Sequence, residues 1–187
     1  VYPFGAIYNP YSVANSFKLI KEKAEIDPNE LFFQRGLWNS YSFHSSYSAT
    51  EKKIALEQMN KTIGNANNIL NSSNPIIIVT LGTSWVYELK STGEIVANCH
   101  HSLATEFTRR CMSINEITEV LRPICKTNAH VIFTVSPVRH LKDGAHENQL
   151  SKSKLILAVE ELCSEYKNCE YFPSYEIKMD QLRDYRF

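Results

Sequence analysis

The chain has 187 residues, and 20 Lys and Arg residues balance 20 Asp and Glu residues, so the formal net charge at pH 7 is zero. No basic block stands out, which gives no support for a nucleic-acid partner or an anionic membrane surface. The longest apolar run, PIIIVTL, is far shorter than the roughly 20 residues that span a bilayer, and the length suits one domain with a substantial core.

The first part of the chain combines two helical patterns with a long aromatic loop. Residues 1–10 are predicted to form a short strand followed by a loop. The spacing of apolar residues predicts one helix at 10–23 and a longer amphipathic helix at 50–70. Between them, 26–48 has little periodicity but many aromatic and hydroxyl side chains, which is typical of a functional loop.

The second part alternates strands and helices. In chain order, the pattern predicts a fully buried strand at 74–82, a hairpin at 85–98, a helix at 113–128, a buried strand at 130–137, a helix at 151–166 and a short strand at 169–174. Crossover units of this kind imply parallel pairing. We therefore predict a mostly parallel sheet in a three-layer α/β/α sandwich of the flavodoxin type, with a β-hairpin excursion.

The cysteines give no framework for a metal or for disulfides. They are odd in number and have no CxxC spacing: Cys99, Cys111, Cys125, Cys163 and Cys169. We expect reduced thiols in a cytoplasmic protein. A metal centre built from His140, Asp143 and His146 has no recognisable ligand spacing either, so we expect no metal and no other cofactor.

Polar residues follow both buried strands of the predicted sheet. Gly82, Thr83 and Ser84 end the first strand, and Ser136, Arg139 and His140 end the second. Ligands of open parallel sheets bind beyond the carboxyl ends of the strands, where these residues would lie together. This edge is the candidate small-molecule site.

Three further candidates lie outside the two strand ends. His100 closes the far end of the hairpin, and His44 with Ser45 lies on the aromatic loop that is expected to pass the same edge. Four of the candidates also have a plain structural alternative. Gly82 permits a turn, Thr83 and Ser84 suit local capping, and His100 suits a surface pair with His101.

Long segments of the chain resemble the GSCFA family of bacterial proteins, which is placed near the SGNH (GDSL-type) hydrolases. The segments are FGAIYNPYSVA, LFFQRGLWNSYSFHSSYS, TLGTSWVYELKSTGEIVANCHH, FTVSPVRHLKDGAHENQLSKSKLILAVEEL and YFPSYEIKMDQLRDYRF. The resemblance covers essentially all of the chain as one domain, 1–187. It implies a flavodoxin-like sheet and cleavage of acyl esters, often on carbohydrate.

Two motifs of these relatives are absent from the 187 residues. The family's Gly-Ser-Cys-Phe-Ala motif would supply the nucleophilic serine, and a D-x-x-H motif would supply the histidine base. We expect both outside this chain, upstream of Val1 and downstream of Phe187, so that the domain is truncated at both ends. An export signal in the absent N-terminal segment would change the cytoplasmic address.

The resemblance also assigns roles to the strand-end residues. Gly82 to Ser84 occupy the place of a G-x-N-D block, so a hydroxyl or a backbone N–H there is expected to donate to the oxyanion. Thr83 and Ser84 replace the expected Asn and Asp. Arg139 is expected to bind an acidic substrate group or the oxyanion, with Ser136 and His140 orienting it.

His44 and Ser45 are expected to line the acyl or sugar pocket. The leading hypothesis is a serine hydrolase that acts on a small-molecule or carbohydrate ester. The alternatives are a carbohydrate- or ligand-binding module without turnover, and an acyltransferase.

Overall fold

A computed structural model describes residues 2–183, with the backbone alone at Leu141, and shows a mixed α/β fold. The helices are α1 Pro10–Glu22, α2 Lys52–Leu70, α3 Ile114–Cys125, α4 Gly144–Glu165 and α5 Ser174–Glu176, which continues as a π turn over Ile177–Gln181. The strands are β1 Phe32–Gln34, β2 Leu37–Asn39, β3 Ile76–Leu81, β4 Trp85–Leu89, β5 Ile95–Val96, β6 Phe107–Cys111, β7 His130–Val135 and β8 Cys169–Phe172. The end of the resemblance, residues 184–187, and Val1 lie outside the described residues.

A parallel sheet in the order β3-β7-β8 forms the centre of the fold. β3 and β7 pair over their full length, from Ile76 opposite His130 to Leu81 opposite Val135. Apolar side chains of α3 and α4 cover one face of this sheet and form the main core with it. The predicted α/β class with parallel pairing is therefore confirmed.

The opposite face of the sheet is open at β3. Ile76 and Ile78 are 62% and 67% exposed, and Phe172 on β8 is 52% exposed. The prediction that the strand at 74–82 is fully buried was therefore wrong for Ile76 and Ile78. Among the described residues β3 is an edge strand, and the helices of the main core lie against the alternate residues Val79 and Leu81.

The predicted hairpin is confirmed and is part of a second, antiparallel sheet. β4 pairs with β5 through Tyr87 opposite Val96, and β6 pairs along the other edge of β4. The sequence pattern did not predict β6, because Arg109 and Arg110 interrupt its apolar character. Arg110 forms ion pairs with Glu88 and Glu116, at 2.6 and 2.7 Å.

The N-terminal part forms a smaller core with α2 and the aromatic loop. Phe4 stacks on Phe43 with ring centroids 4.2 Å apart, and both are buried. The short strand predicted before the loop in 1–10 was wrong for the described residues, because the chain turns through Gly5 at φ +75° before it enters α1. Asn9 caps that helix by accepting a hydrogen bond from Ser12 N at 2.8 Å. Within the described residues no helix is long and apolar enough to cross a membrane.

Candidate functional site

The two polar strand ends lie side by side. Parallel pairing continues to Leu81 opposite Val135, and Ser136 N then donates to Leu81 O at 2.8 Å. Gly82 and Ser136 therefore leave the sheet at the same edge, as the sequence predicted. We call the residues 82–84 and 136–140, with the Ser151 and Lys152 side chains that contact them, the strand-end cluster.

A buried lysine from α4 joins the two strand ends. The Lys152 side chain donates to Gly82 O and to Ser136 O, the latter at 2.7 Å, and the residue has no exposed surface. Burial lowers the pKa of Lys152 to about 8. Sequence reasoning missed this residue, although it lies on the inward stripe of α4 between Asn148 and Leu155.

A group of hydroxyls lies beside the lysine. Ser151 Oγ accepts hydrogen bonds from Ser84 N at 2.8 Å and from Ser84 Oγ at 2.9 Å, and it is 3.3 Å from Thr83 Oγ1. Ser84 is fully buried. Thr83 Oγ1 also accepts from Trp85 N at 3.1 Å, so both hydroxyls of this turn have partners inside the fold.

The backbone donors proposed for an oxyanion also have partners. Gly82 N and Thr83 N donate to Tyr8 O at 2.8 and 3.3 Å, and Ser84 N donates to Ser151. A Cβ at Gly82 would lie 3.1 Å from Tyr8 Cβ. Gly82 therefore allows the segment before α1 to close over the end of β3, and the oxyanion role of these N–H groups stays a prediction.

His140 lies within the strand-end cluster. Its backbone N donates to Asn148 Oδ1 at 3.0 Å. Burial and the nearby Lys152 charge lower the pKa of His140, while Asp143 and a hydrogen bond with the Gly82 carbonyl oppose that shift. A histidine with a lowered pKa is neutral at pH 7, which is the form that accepts a proton.

An ion pair closes one side of the cluster. Arg109 Nη2 lies 2.5 Å from Asp143 Oδ1, whose side chain is only 3% exposed. The Arg109 guanidinium also stacks over the Trp85 ring, 4.1 Å from its centroid. Sequence analysis named Asp143 only in a metal centre that it rejected, and it did not name Arg109. Arg139, which sequence analysis named together with His140, is exposed to solvent in the segment that follows β7.

The other predicted site residues form a separate group, in which the end of the hairpin contacts the aromatic loop. His100 is buried, and its Nε2 lies 2.7 Å from Ser40 O and 3.0 Å from Phe43 O. His44 accepts from Ser46 N at 3.2 Å, at the start of the turn that contains Ser45. These contacts hold the loop in place, and a role of His44, Ser45 or His100 in binding stays a prediction.

Cys99 lies next to His100 at the far end of the hairpin. Burial raises the pKa of its thiol, and the charge of Lys142, two residues after His140, lowers that pKa to a smaller extent.

The fold and this edge define an α/β protein whose parallel sheet carries a polar cluster at the carboxyl ends of its strands. The model of the GSCFA family matches residues 1–187, and the chain belongs to that family. The family assignment made from the motifs is thus confirmed. No curated protein and no solved structure gives a significant match to the chain.

Proposed function

We propose that this chain is part of an SGNH-like serine hydrolase that acts on an ester or an acylated carbohydrate. The observation that carries the proposal is the parallel register that brings the Gly82–Ser84 turn and the Ser136–His140 segment to one edge. Membership of the GSCFA family supports it. The nucleophilic serine and its histidine base are proposed to come from polypeptide outside these residues.

In this proposal the strand-end cluster forms one wall of the pocket. Lys152 holds Gly82 and Ser136 together, so the residues that follow them keep fixed positions. Because the three N–H groups of the Gly82–Ser84 turn already have acceptors, we assign the oxyanion or an acidic substrate group to Arg139. His140, neutral at pH 7, orients the bound group.

We further propose that the complete fold is a three-layer sandwich with a flavodoxin-like sheet, in a bacterial, cytoplasmic protein. The exposed Ile76 and Ile78 support the third layer, because apolar side chains on a sheet face are normally covered. Limited proteolysis of the full-length protein tests this. Protection of the segments that flank 1–187 is expected, and rapid loss of both flanks without loss of this unit would contradict it.

Labelling of the full-length protein with a fluorophosphonate probe tests the hydrolase. Labelling of one serine is expected, together with turnover of acetylated sugars or aryl esters. Arg139→Ala should lower turnover at least tenfold, as loss of one oxyanion donor typically costs 10²–10³ in rate, and should leave the thermal midpoint almost unchanged. The matched control is Lys90→Ala, which removes another exposed cation away from the strand ends, and it should leave turnover unchanged.

A ligand-binding module without turnover is the second candidate. The engagement of the three N–H groups inside the fold favours it, since a preformed oxyanion site needs free donors. A folded protein that binds acylated sugars but does not react with the probe would establish this candidate and reject the hydrolase. An acyltransferase would label with the probe but would consume ester only when an acceptor alcohol is present.

A further inference from the structure

A thiol, an amine and a hydroxyl meet beside the strand-end cluster. Lys154 Nζ on α4 lies 3.1 Å from Cys111 Sγ at the end of β6, and Ser84 Oγ lies 3.1 Å from the same sulfur. Cys111 and Lys154 are both half-buried. Neither side chain has a role in the proposed hydrolase.

The surroundings of Cys111 differ from those of the other four cysteines. Burial raises the pKa of the thiol of Cys99, Cys125, Cys163 and Cys169. Cys163 is half-buried, as Cys99 and Cys111 are, and burial with the neighbouring Cys169, Glu160 and Glu170 raises its pKa to about 11. Cys111 has the Lys154 amine against its sulfur at 3.1 Å, so it is the cysteine best placed to form a bond to nitrogen.

We propose that Cys111 and Lys154 form an oxidation site, at which hydrogen peroxide converts the thiol to a sulfenic acid and the lysine amine captures it as a sulfenamide cross-link. In the first step the sulfur attacks peroxide, an S–O bond forms, the O–O bond breaks, and the leaving hydroxide takes the thiol proton as water. The sulfur loses two electrons to the peroxide.

In the second step the Lys154 ammonium group gives one proton to bulk water, and the neutral amine so formed attacks that sulfur. An S–N bond forms, the S–O bond breaks, and the hydroxyl leaves as water with a proton from nitrogen. In sum, one thiol, one amine and one peroxide give one sulfenamide and two water molecules, and the protein loses two hydrogen atoms. Sulfenic acids condense with thiols and with nitrogen nucleophiles in this way, and 3.1 Å between nitrogen and sulfur places the amine for the attack.

The cross-link would tie the end of β6 to α4 next to Ser84. Since Ser84 also bonds to Ser151, oxidation would fix the turn that follows β3. The inference does not depend on ester hydrolysis, because it concerns two side chains that the proposed mechanism leaves unused.

Peptide mass spectrometry of the folded chain after treatment with hydrogen peroxide tests the cross-link. We expect the peptides that contain Cys111 and Lys154 to appear joined, with a mass lower than their sum by two hydrogen atoms, and to separate again with dithiothreitol. The cross-linked protein should also unfold at a higher temperature. Absence of the joined peptides, with Cys111 recovered as free thiol or as sulfinic acid, would overturn the proposal.

Lys154→Arg separates the charge of the side chain from its amine. The arginine keeps a cation beside Cys111 but is a poor nucleophile, so sulfenic acid should accumulate there and be trapped by dimedone several-fold more than in the wild type. Cys163→Ser is the matched control, and its cross-link yield should equal that of the wild type. Equal dimedone labelling of Cys111 in the wild type and in Lys154→Arg, or oxidation of Cys163 ahead of Cys111, would reject the inference.

Discussion

Replacing Lys152 by methionine separates two opposing effects of one buried ammonium group. Methionine keeps an unbranched apolar stem but removes the charge and the donors. Ser136 O then loses its partner, while Gly82 O keeps its hydrogen bond with His140. An unsatisfied buried polar group costs about 1–3 kcal/mol, which is the loss expected for Ser136 O.

The charge of Lys152 acts in the other direction. Burial lowers its pKa from 10.5 to about 8. At about 1.4 kcal/mol per pH unit, this shift corresponds to roughly 3 kcal/mol of destabilisation of the folded state below pH 8. At pH 7 the two effects nearly cancel, and we expect the free energy of unfolding of Lys152→Met to lie within roughly 3 kcal/mol of the wild type.

The sign of the pH dependence follows from proton binding. Between about pH 8 and 10.5 the unfolded chain keeps the Lys152 proton while the folded chain releases it. The unfolded state then binds more protons, so the stability contributed by this residue rises with pH. The neutral amine still donates to both carbonyls. The free energy of unfolding of the wild type should therefore rise by roughly 3 kcal/mol relative to that of Lys152→Met across this pH range.

Equilibrium denaturation by urea under reducing conditions, followed by circular dichroism at several pH values from 7 to about 10, measures the difference. Comparing two variants cancels groups that titrate in both, including Tyr171, whose pKa is raised by burial and by Glu176. Lys18→Met, which removes an exposed lysine of α1, should show no such trend. A wild-type advantage that stays constant or shrinks with rising pH would refute the account of Lys152 as a buried charge.

Two further substitutions test the contacts around the strand-end cluster by the same denaturation assay. Arg109→Met leaves the nearly buried Asp143 carboxylate without its partner and should lower stability by about 2 kcal/mol, less than for a fully buried pair because Arg109 is 28% exposed. Adding Asp143→Asn should restore part of that loss, and strictly additive losses would contradict the pairing. Gly82→Ala forces Tyr8 to move and should destabilise by about 1–2 kcal/mol. Gly64→Ala in α2, where a Cβ meets nothing within 4 Å, should instead stabilise by about 0.5–1 kcal/mol, and the same sign for both glycines would contradict the steric argument.

The secondary structure was predictable where one periodicity dominated a segment. The strands at Ile76–Leu81 and His130–Val135 and the helix at Ile114–Cys125 were found from apolar runs and a capping box. The helix predicted at 151–166 was also found, but it begins earlier, at Gly144, because its first turns are polar. β6 was not found, because its arginines acquire partners only in the folded chain, on Trp85 and Glu88. A pattern based on hydrophobicity treats those charges as solvent-facing, and it cannot register stacking or ion pairs between strands that are distant in sequence.

The location of the site was more predictable than its contents. Parallel pairing fixes where strand ends meet, so residues 82–84 and 136–140 could be brought together from sequence alone. The side chains that complete the cluster, Ser151 and Lys152, come from a helix that had been treated only as packing. Their positions on the inward face of α4, with Asn148 and Leu155, were the available signal.

The buried lysine is explained by the geometry of the sheet at this edge. After Leu81 and Val135 the two strands diverge. β3 leads into the antiparallel sheet, and β7 leads into the segment that contains Arg139 and His140. The next carbonyls, those of Gly82 and Ser136, therefore lack the donors that a continuing ladder would supply. An ammonium group provides more than one N–H from a single point, and Lys152 serves both carbonyls at once. An apolar residue at this position would leave Ser136 O without its donor and Gly82 O with His140 alone, whereas a lysine keeps the ends of β3 and β7 at a fixed separation. Arg139 and His140 follow one of those ends directly, so the position of any ligand they bind depends on a charge that the ligand itself never touches.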